Sequence, residues 1–275
     1  MGSTFNENQP IHALPGHPQY EQYPHETRRF GILEAGAFHR AFKAKVAEVS
    51  VGDHAVANPA RPKISHIDDF RFVAVMPKAA AHLVDSYSSM DNLSGSNNIV
   101  KLRDAPLTNG GAHFEYKKPD GQPYMDARIG VGLSYRERIV ALCAGGLVAE
   151  GAIITQLQDI SRDLAPGESK RNRFSNGLFN GFLWRDTLVS AWHSALQEVT
   201  PTVGEQTILV QSARNNPWIA EKTEPDEYGL TYTVGTNLAR FEALKRGYDE
   251  VALRLGGGLQ HPLGDFILPR VLERN

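Results

Sequence analysis

The stretch YMDARIGVGLSYRERIVALCAGGLVAEGAIITQLQDI, residues 124–160, holds the longest apolar run of the chain, and its reading decides the fold. Residues 124–133 read as a strand. It would pair with a strand over 113–118, because Pro119-Asp120-Gly121 lies between them: proline presets φ and glycine accepts a positive one. Ser134 and Glu137 then make the S-x-x-E pattern of a capping box. Ile139, Leu142, Cys143, Leu147, Ile153, Ile154, Leu157 and Ile160 follow at helical spacing, so a long helix is expected over 134–160. Gly145, Gly146 and Gly151 would each weaken it by roughly 1 kcal/mol, and they point to close packing or a break. The run 139–149 stops at Glu150, short of the about 20 residues that cross a bilayer.

To the N-terminal side, FRFVAVM at 70–76 is a short strand closed by Pro77. Residues 36–49 form an amphipathic helix. Phe38, Phe42, Val46 and Val49 share one face, and His39, Arg40 and Lys43 lie on others. Residues 79–87 read as a short helix and 88–111 as a long polar loop. Residues 1–27, rich in Pro, His, Gln and Asn, read as a flexible arm. Residues 28–275 read as a single domain with a hairpin insertion near 112–133.

To the C-terminal side, a helix is expected over 181–199, with Trp184, Leu188, Ala191, Trp192, Ala195 and Val199 on one face. Strands are expected over 207–213, 230–234, 251–255 and 266–268. A helix over 236–246 would be capped by Gly247. Strands and helices mix without a regular βαβα order. That predicts an α+β protein with an antiparallel sheet and argues against a doubly wound nucleotide fold.

The 275 residues carry a formal net charge of −2, which excludes a uniformly basic nucleic-acid binder but not a basic groove on a neutral body. Charge is clustered. Arg28, Arg29, Arg40, Lys43 and Lys45 against Glu34 give 28–45 a net of +4, and Lys170, Arg171 and Arg173 precede Arg185. Glu221, Glu224, Asp226 and Glu227 oppose them. The single cysteine, Cys143, cannot form an intrachain disulfide. With no signal-peptide pattern, a soluble cytoplasmic protein is expected, with no membrane partner.

Catalytic motifs are absent: there is no Walker loop, no G-x-G-x-x-G after a strand, no H-E-x-x-H, no cysteine pair for zinc and no G-x-S-x-G. His66, Asp68 and Asp69 have metal-ligand chemistry, but they read as a polar turn, and no metal or other cofactor is expected. His39, beside Arg40 and Lys43, could act as a general base in RNA cleavage or simply contact phosphate.

Arg173-Phe174-Ser175-Asn176-Gly177-Leu178-Phe179-Asn180-Gly181-Phe182-Leu183-Trp184-Arg185-Asp186 resembles a segment of the crRNA-binding backbone subunit of type I-F CRISPR surveillance complexes, of the RAMP superfamily. That family has an Arg-aromatic start, an Asn-small pair, then Phe-Leu-Trp-Arg-Asn; here one residue is missing and Asp186 replaces the Asn. Weaker similarities follow in the same order: the Gly36-led basic helix, Asn58-Pro59, residues 64–68 with the strand after them, Pro225-Asp226-Glu227-Tyr228-Gly229, and a basic residue before the glycines at 256–258.

The resemblance implies a modified RNA-recognition-motif (ferredoxin-like) core with inserted helices and a β-hairpin thumb around Asp120-Gly121. It implies a non-enzymatic subunit that grips guide RNA (crRNA) phosphates through His39, Arg40, Lys43, Lys117, Lys118, Arg171, Arg173, Arg185 and Arg254. Copies of the chain and other effector subunits would assemble on the guide, which pairs with target DNA. An endoribonuclease of the same superfamily using His39, and a phage or viral coat or nucleocapsid-like assembly protein, are the alternatives.

Overall fold

A computed structural model describes residues 32–61, 66–77, 107–108, 111–114, 129–148, 151–159, 178–179, 181–199, 207–213, 241–258 and 265–273. Its helices are α1 (Ile32–Glu48), α2 (Val51–His54), α3 (Trp184–Val199) and α4 (Glu250–Arg254). Its strands are β1 (Phe70–Pro77), β2 (Leu107–Thr108), β3 (Gly111–Phe114), β4 (Ile129–Tyr135), β5 (Arg138–Val148), β6 (Gly151–Asp159), β7 (Thr207–Val210) and β8 (Phe266–Leu268). The eight strands form one sheet in the order β2-β3-β1-β4-β5-β6-β7-β8. The α+β class holds. The sheet is mixed rather than antiparallel, since β1 runs parallel to β3 and β6 parallel to β7.

The helix expected over 134–160 is instead the centre of this sheet. Arg136 and Glu137 both have positive φ, 49° and 65°, so the supposed capping box is a two-residue turn joining β4 to β5. The strands β4, β5 and β6 then form a meander. The misreading has a physical cause. Strands buried on both faces show no alternation, and a continuous apolar run matches a helical template equally well. Ile139, Val140, Ala141, Leu142, Cys143 and Ala144 are all at most 1% exposed.

Of the expected hairpin only the outer ends are described: β3 and β4 lie on opposite sides of β1 and do not pair with each other, and residues 115–128 lie outside the described residues. The Pro119-Asp120-Gly121 turn lies outside the described residues, as do the expected arm, the helix over 79–87 and the strand over 230–234. Part of the expected loop 88–111 is β2.

The helices α1 and α3 pack against each other, α1 on β1 and α3 on β4 and β5. Phe38, Phe42 and Val46 of α1 are buried with Trp184, Leu188, Ala191, Trp192 and Ala195 of α3, so both helix faces read from sequence are the core faces. Lys45 ties the two helices together through an ion pair to Glu198, and also pairs with Glu48 of its own helix at 3.2 Å.

Near the C-terminus, 241–254 is one helical stretch with a π-helical turn at Lys245–Asp249. The helix therefore passes through Gly247, the expected cap, and the expected strand over 251–255 is α4. Val251, Ala252 and Leu255 are buried while Leu253 is 56% exposed, a helical pattern too short to recognise in five residues. The glycine that ends the helix is Gly256, at φ 82°.

Cys143 is fully buried in β5, and burial pushes its thiol well above the usual range. The thiolate is the reactive form. Labelling with a thiol reagent at pH 8 is therefore expected to occur at the rate of unfolding, and to become immediate in denaturant.

Candidate nucleic-acid interface

Of the nine residues expected to hold RNA, Lys117, Lys118, Arg171 and Arg173 lie outside the described residues. His39, Arg40 and Lys43 lie on α1, whose apolar stripe points inward. That turns Arg40 into solvent and leaves His39 and Lys43 half-buried. Among the described residues no carboxylate pairs with Arg40. Lys45, counted in the same basic cluster, is neutralised. Its hydrogen bond to Glu198 leads a rise in its pKa, so it contributes little free charge to this face.

Arg185 and Arg254 converge from different elements. α3 follows β6 and returns to the parallel neighbour β7, so its first turn sits beyond the carboxyl end of β6. The chain enters α3 through Gly181 (φ 95°) and a bridge between Ala57 and Phe182, with Leu183 N–H donating to Val56 C=O at 2.8 Å. Thr187 Oγ1 accepts from Val56 N–H, and buried His54 Nδ1 lies 2.9 Å from Ser190 Oγ. These contacts fix the start of the helix.

Trp184 faces the core and packs against Phe179 at a ring separation of 5.6 Å. Arg185 does not project freely into solvent. Its guanidinium carbon lies 4.4 Å from the centre of the Trp184 ring. A Cβ built on Gly247 would stand 3.8 Å from Arg185 Nε, so the π-helical turn passes close by. Nε is buried and has no hydrogen-bond partner among the described residues. Burial pushes this guanidinium below its ordinary range, against the opposing pull of Tyr248, Asp159 and Asp186.

Arg254 is committed elsewhere. Its Nε and Nη2 donate to the two oxygens of Asp186 at 2.8 and 3.0 Å, and that carboxylate is 1% exposed. The fork raises the pKa of Arg254. Sequence reading saw Asp186 only as a departure from a family motif and placed Arg254 among the RNA contacts. In the fold the two form an ion pair between α3 and α4.

Tyr248 carried no sequence signal. β7 pairs with β6 only along 151–154, and beyond that edge Tyr248 Oη accepts from Leu157 N–H at 2.9 Å and donates to Thr155 C=O at 3.2 Å. It thus closes the ladder that β7 leaves open and forms part of the wall around Arg185.

No family model, curated protein or solved structure matches the chain. The site therefore stands on its own geometry. One edge of a guanidinium, Nε–H with the adjacent Nη–H, is the two-pronged donor that suits a phosphate. At Arg185 the Nε of that edge lies beside an indole and has no acceptor among the described residues. Among the described residues no three His, Cys, Asp or Glu side chains gather into a metal site, and His66 and Asp69 form only an exposed 3.8 Å pair. Among them, too, no helix is long and apolar enough to cross a membrane.

Proposed function

We propose that the protein is a non-enzymatic guide-RNA-binding backbone subunit of a multi-subunit CRISPR effector. Copies of it would grip the phosphates of one guide while the guide pairs with target DNA. The finer fold, an RNA-recognition-motif core within the eight-stranded sheet, belongs to the same proposal. One observation carries the binding side of this reading: Arg185 Nε is buried, stacked beside Trp184, and has no acceptor among the described residues. Buried donors without partners are rare in native proteins and call for an explanation. A phosphate oxygen provides one, and the Phe182-Leu183-Trp184-Arg185 resemblance supplies the kind of phosphate. The exposed Arg40 on α1 adds a second cation.

Single-stranded RNA should bind with a log–log salt slope near −0.7 per phosphate contact. Arg185→Ala should weaken binding about tenfold to a hundredfold, the effect of about 1.5–3 kcal/mol for a charged hydrogen bond, while the thermal melt changes little. Salt-indifferent binding, or unchanged affinity in Arg185→Ala, would remove the reading. RNA that co-purifies with the chain should share constant, repeat-derived ends and remain intact. Cleavage that disappears in His39→Ala would favour the nuclease.

A further inference from the structure

The helical stretch 241–254 meets the surroundings of Arg185 at two places. At its end Arg254 forks onto Asp186, the residue that follows Arg185 on α3. Earlier lies the π-helical turn Lys245–Asp249, where Glu250 N–H reaches back to Lys245 C=O, one residue further than in an α-helix. Such turns are rare inside α-helices and recur at functional sites. The last two residues of the turn bind the sheet. Tyr248 Oη accepts from Leu157 N–H at 2.9 Å and donates to Thr155 C=O at 3.2 Å, and Asp249 Oδ1 accepts from Ala213 N–H at 2.7 Å. Leu157 belongs to β6 and Ala213 follows β7, so the turn bridges the carboxyl ends of the two parallel strands that α3 connects.

Gly247, next to Tyr248, is buried, and a Cβ built on it would stand 3.8 Å from Arg185 Nε. Having no side chain, it lets the backbone of the turn approach the guanidinium. The Trp184 ring lies 4.4 Å from the guanidinium carbon, so an indole and the turn both confine Arg185. We propose that Tyr248 is the positioning residue of the Arg185 site: its two hydrogen bonds to β6 clamp the π-helical turn against the guanidinium and keep the Nε edge ready for a phosphate. The proposal rests on the reading of Arg185 as a phosphate ligand.

A free arginine side chain samples many rotamers, and freezing it on a ligand costs binding free energy. A guanidinium already confined in the free protein avoids that cost. The phenol suits the clamp because one hydroxyl both donates and accepts, and so serves a strand N–H and a strand C=O together. Removing it frees the turn beside Gly247 and leaves Arg185 the space to leave its binding orientation.

The test is a double-mutant cycle on the full-length chain with single-stranded RNA, measured below the melt of every variant. Tyr248→Phe keeps the ring and removes Oη. Its melt should fall by several degrees, because Leu157 N–H and Thr155 C=O lose their partner. RNA affinity should fall about threefold to tenfold, the scale of one hydrogen bond, and the salt slope should become shallower, approaching that of Arg185→Ala. In the Arg185→Ala background the same substitution should leave affinity within about twofold, because the group it positions is gone. A purely structural Tyr248 would lower the melt alone. Linkage gives a second readout with Tyr248 intact. Saturating RNA should slow hydrogen exchange at Leu157 N–H but not at the amides of β4, and the slowing should be lost in Arg185→Ala. If Arg185→Ala binds RNA as the parent does, the underlying reading of the site falls and the proposal with it. Where Arg185 does matter, two results overturn the proposal alone: Tyr248→Phe that binds RNA as the parent does, or a loss that adds in full to that of Arg185→Ala. If Tyr248→Phe does not fold, exchange at Leu157 that RNA leaves unchanged overturns it instead.

Discussion

Gly145→Ala is expected to abolish the native fold or to lower its melting temperature by well over 10 °C. A Cβ at this position would stand 2.0 Å from the carbonyl oxygen of Ile153, 2.8 Å from its carbonyl carbon and 3.0 Å from Ile154 Cα. All three atoms are backbone of the neighbouring strand β6, so no side chain can rotate away. Gly145 also sits at the register shift between β5 and β6, where its partner is Ile154. Relief would require separating two central strands of the sheet. Losses above about 4–5 kcal/mol are exceptional for one substitution, and whole domains are stable by only about 5–15 kcal/mol. Gly52→Ala is the control: its added Cβ lies in exposed helix, and its effect should stay within about 1 kcal/mol. Far-UV circular dichroism melts of the two variants check this. A Gly145→Ala chain that melts within 3 °C of the parent, an interval worth about 1 kcal/mol at this size, would show that the sheet is not packed as described.

Trp192→Ala should be the next largest effect, a loss of about 3–5 kcal/mol. At this chain length that is a drop on the order of 10 °C in melting temperature. Trp192 is 0% exposed and is the largest fully buried side chain in the contact between α3 and the sheet. Its indole N–H also donates to Ile129 C=O at 3.3 Å, tying the helix to the first residue of β4. Trp192→Phe separates the two contributions. It keeps most of the packing and removes the donor, so it should cost about 1–3 kcal/mol, the penalty for a buried carbonyl left unpaired. If alanine and phenylalanine destabilise equally, packing is not what Trp192 provides. If neither moves the melt, α3 is not docked on β4 and β5.

These two residues mark the division between what the chain states locally and what it does not. Trp192 was legible in sequence because the large apolar residues of helix α3 share one stripe, although the structure buries nearly every residue from Trp184 to Leu196. Trp184, Leu188, Ala191 and Ala195 recur at helical spacing, and the other faces carry polar groups such as Gln197 and Glu198. The same reasoning placed Phe38, Phe42 and Val46 of α1 inward and set Trp184 in the core. β1 and β7 are buried on both faces, and were found instead as short apolar runs, β1 being bounded by its polar turn and Pro77. Short buried strands are legible when turn residues bound them, because a run of that length is too short for a helix.

At the centre of the sheet polar contrast vanishes. β5 is buried on both faces, so 139–144 carries no polar alternation to mark it as strand, and a helical template fits it by default. Its glycines, which a helix only tolerates, are required by strand-to-strand contact at Gly145. The left-handed pair Arg136-Glu137 lacks the Asn-Gly chemistry of a typical two-residue turn, so only the pairing of β4 with β5 reveals it. The site divides in the same way. The basic residues of α1, Arg185 and Arg254 could be named from sequence, because charge is visible there. Which guanidinium is spent on a carboxylate and which keeps a free donor depended on Asp186 meeting Arg254 across 68 residues and on Trp184 stacking beneath Arg185. The sequence by itself determined the amphipathic helices and the positions of charge. Only the tertiary structure decided the all-buried strands and the partners of each charge, because each of these arises between segments that the chain order keeps apart.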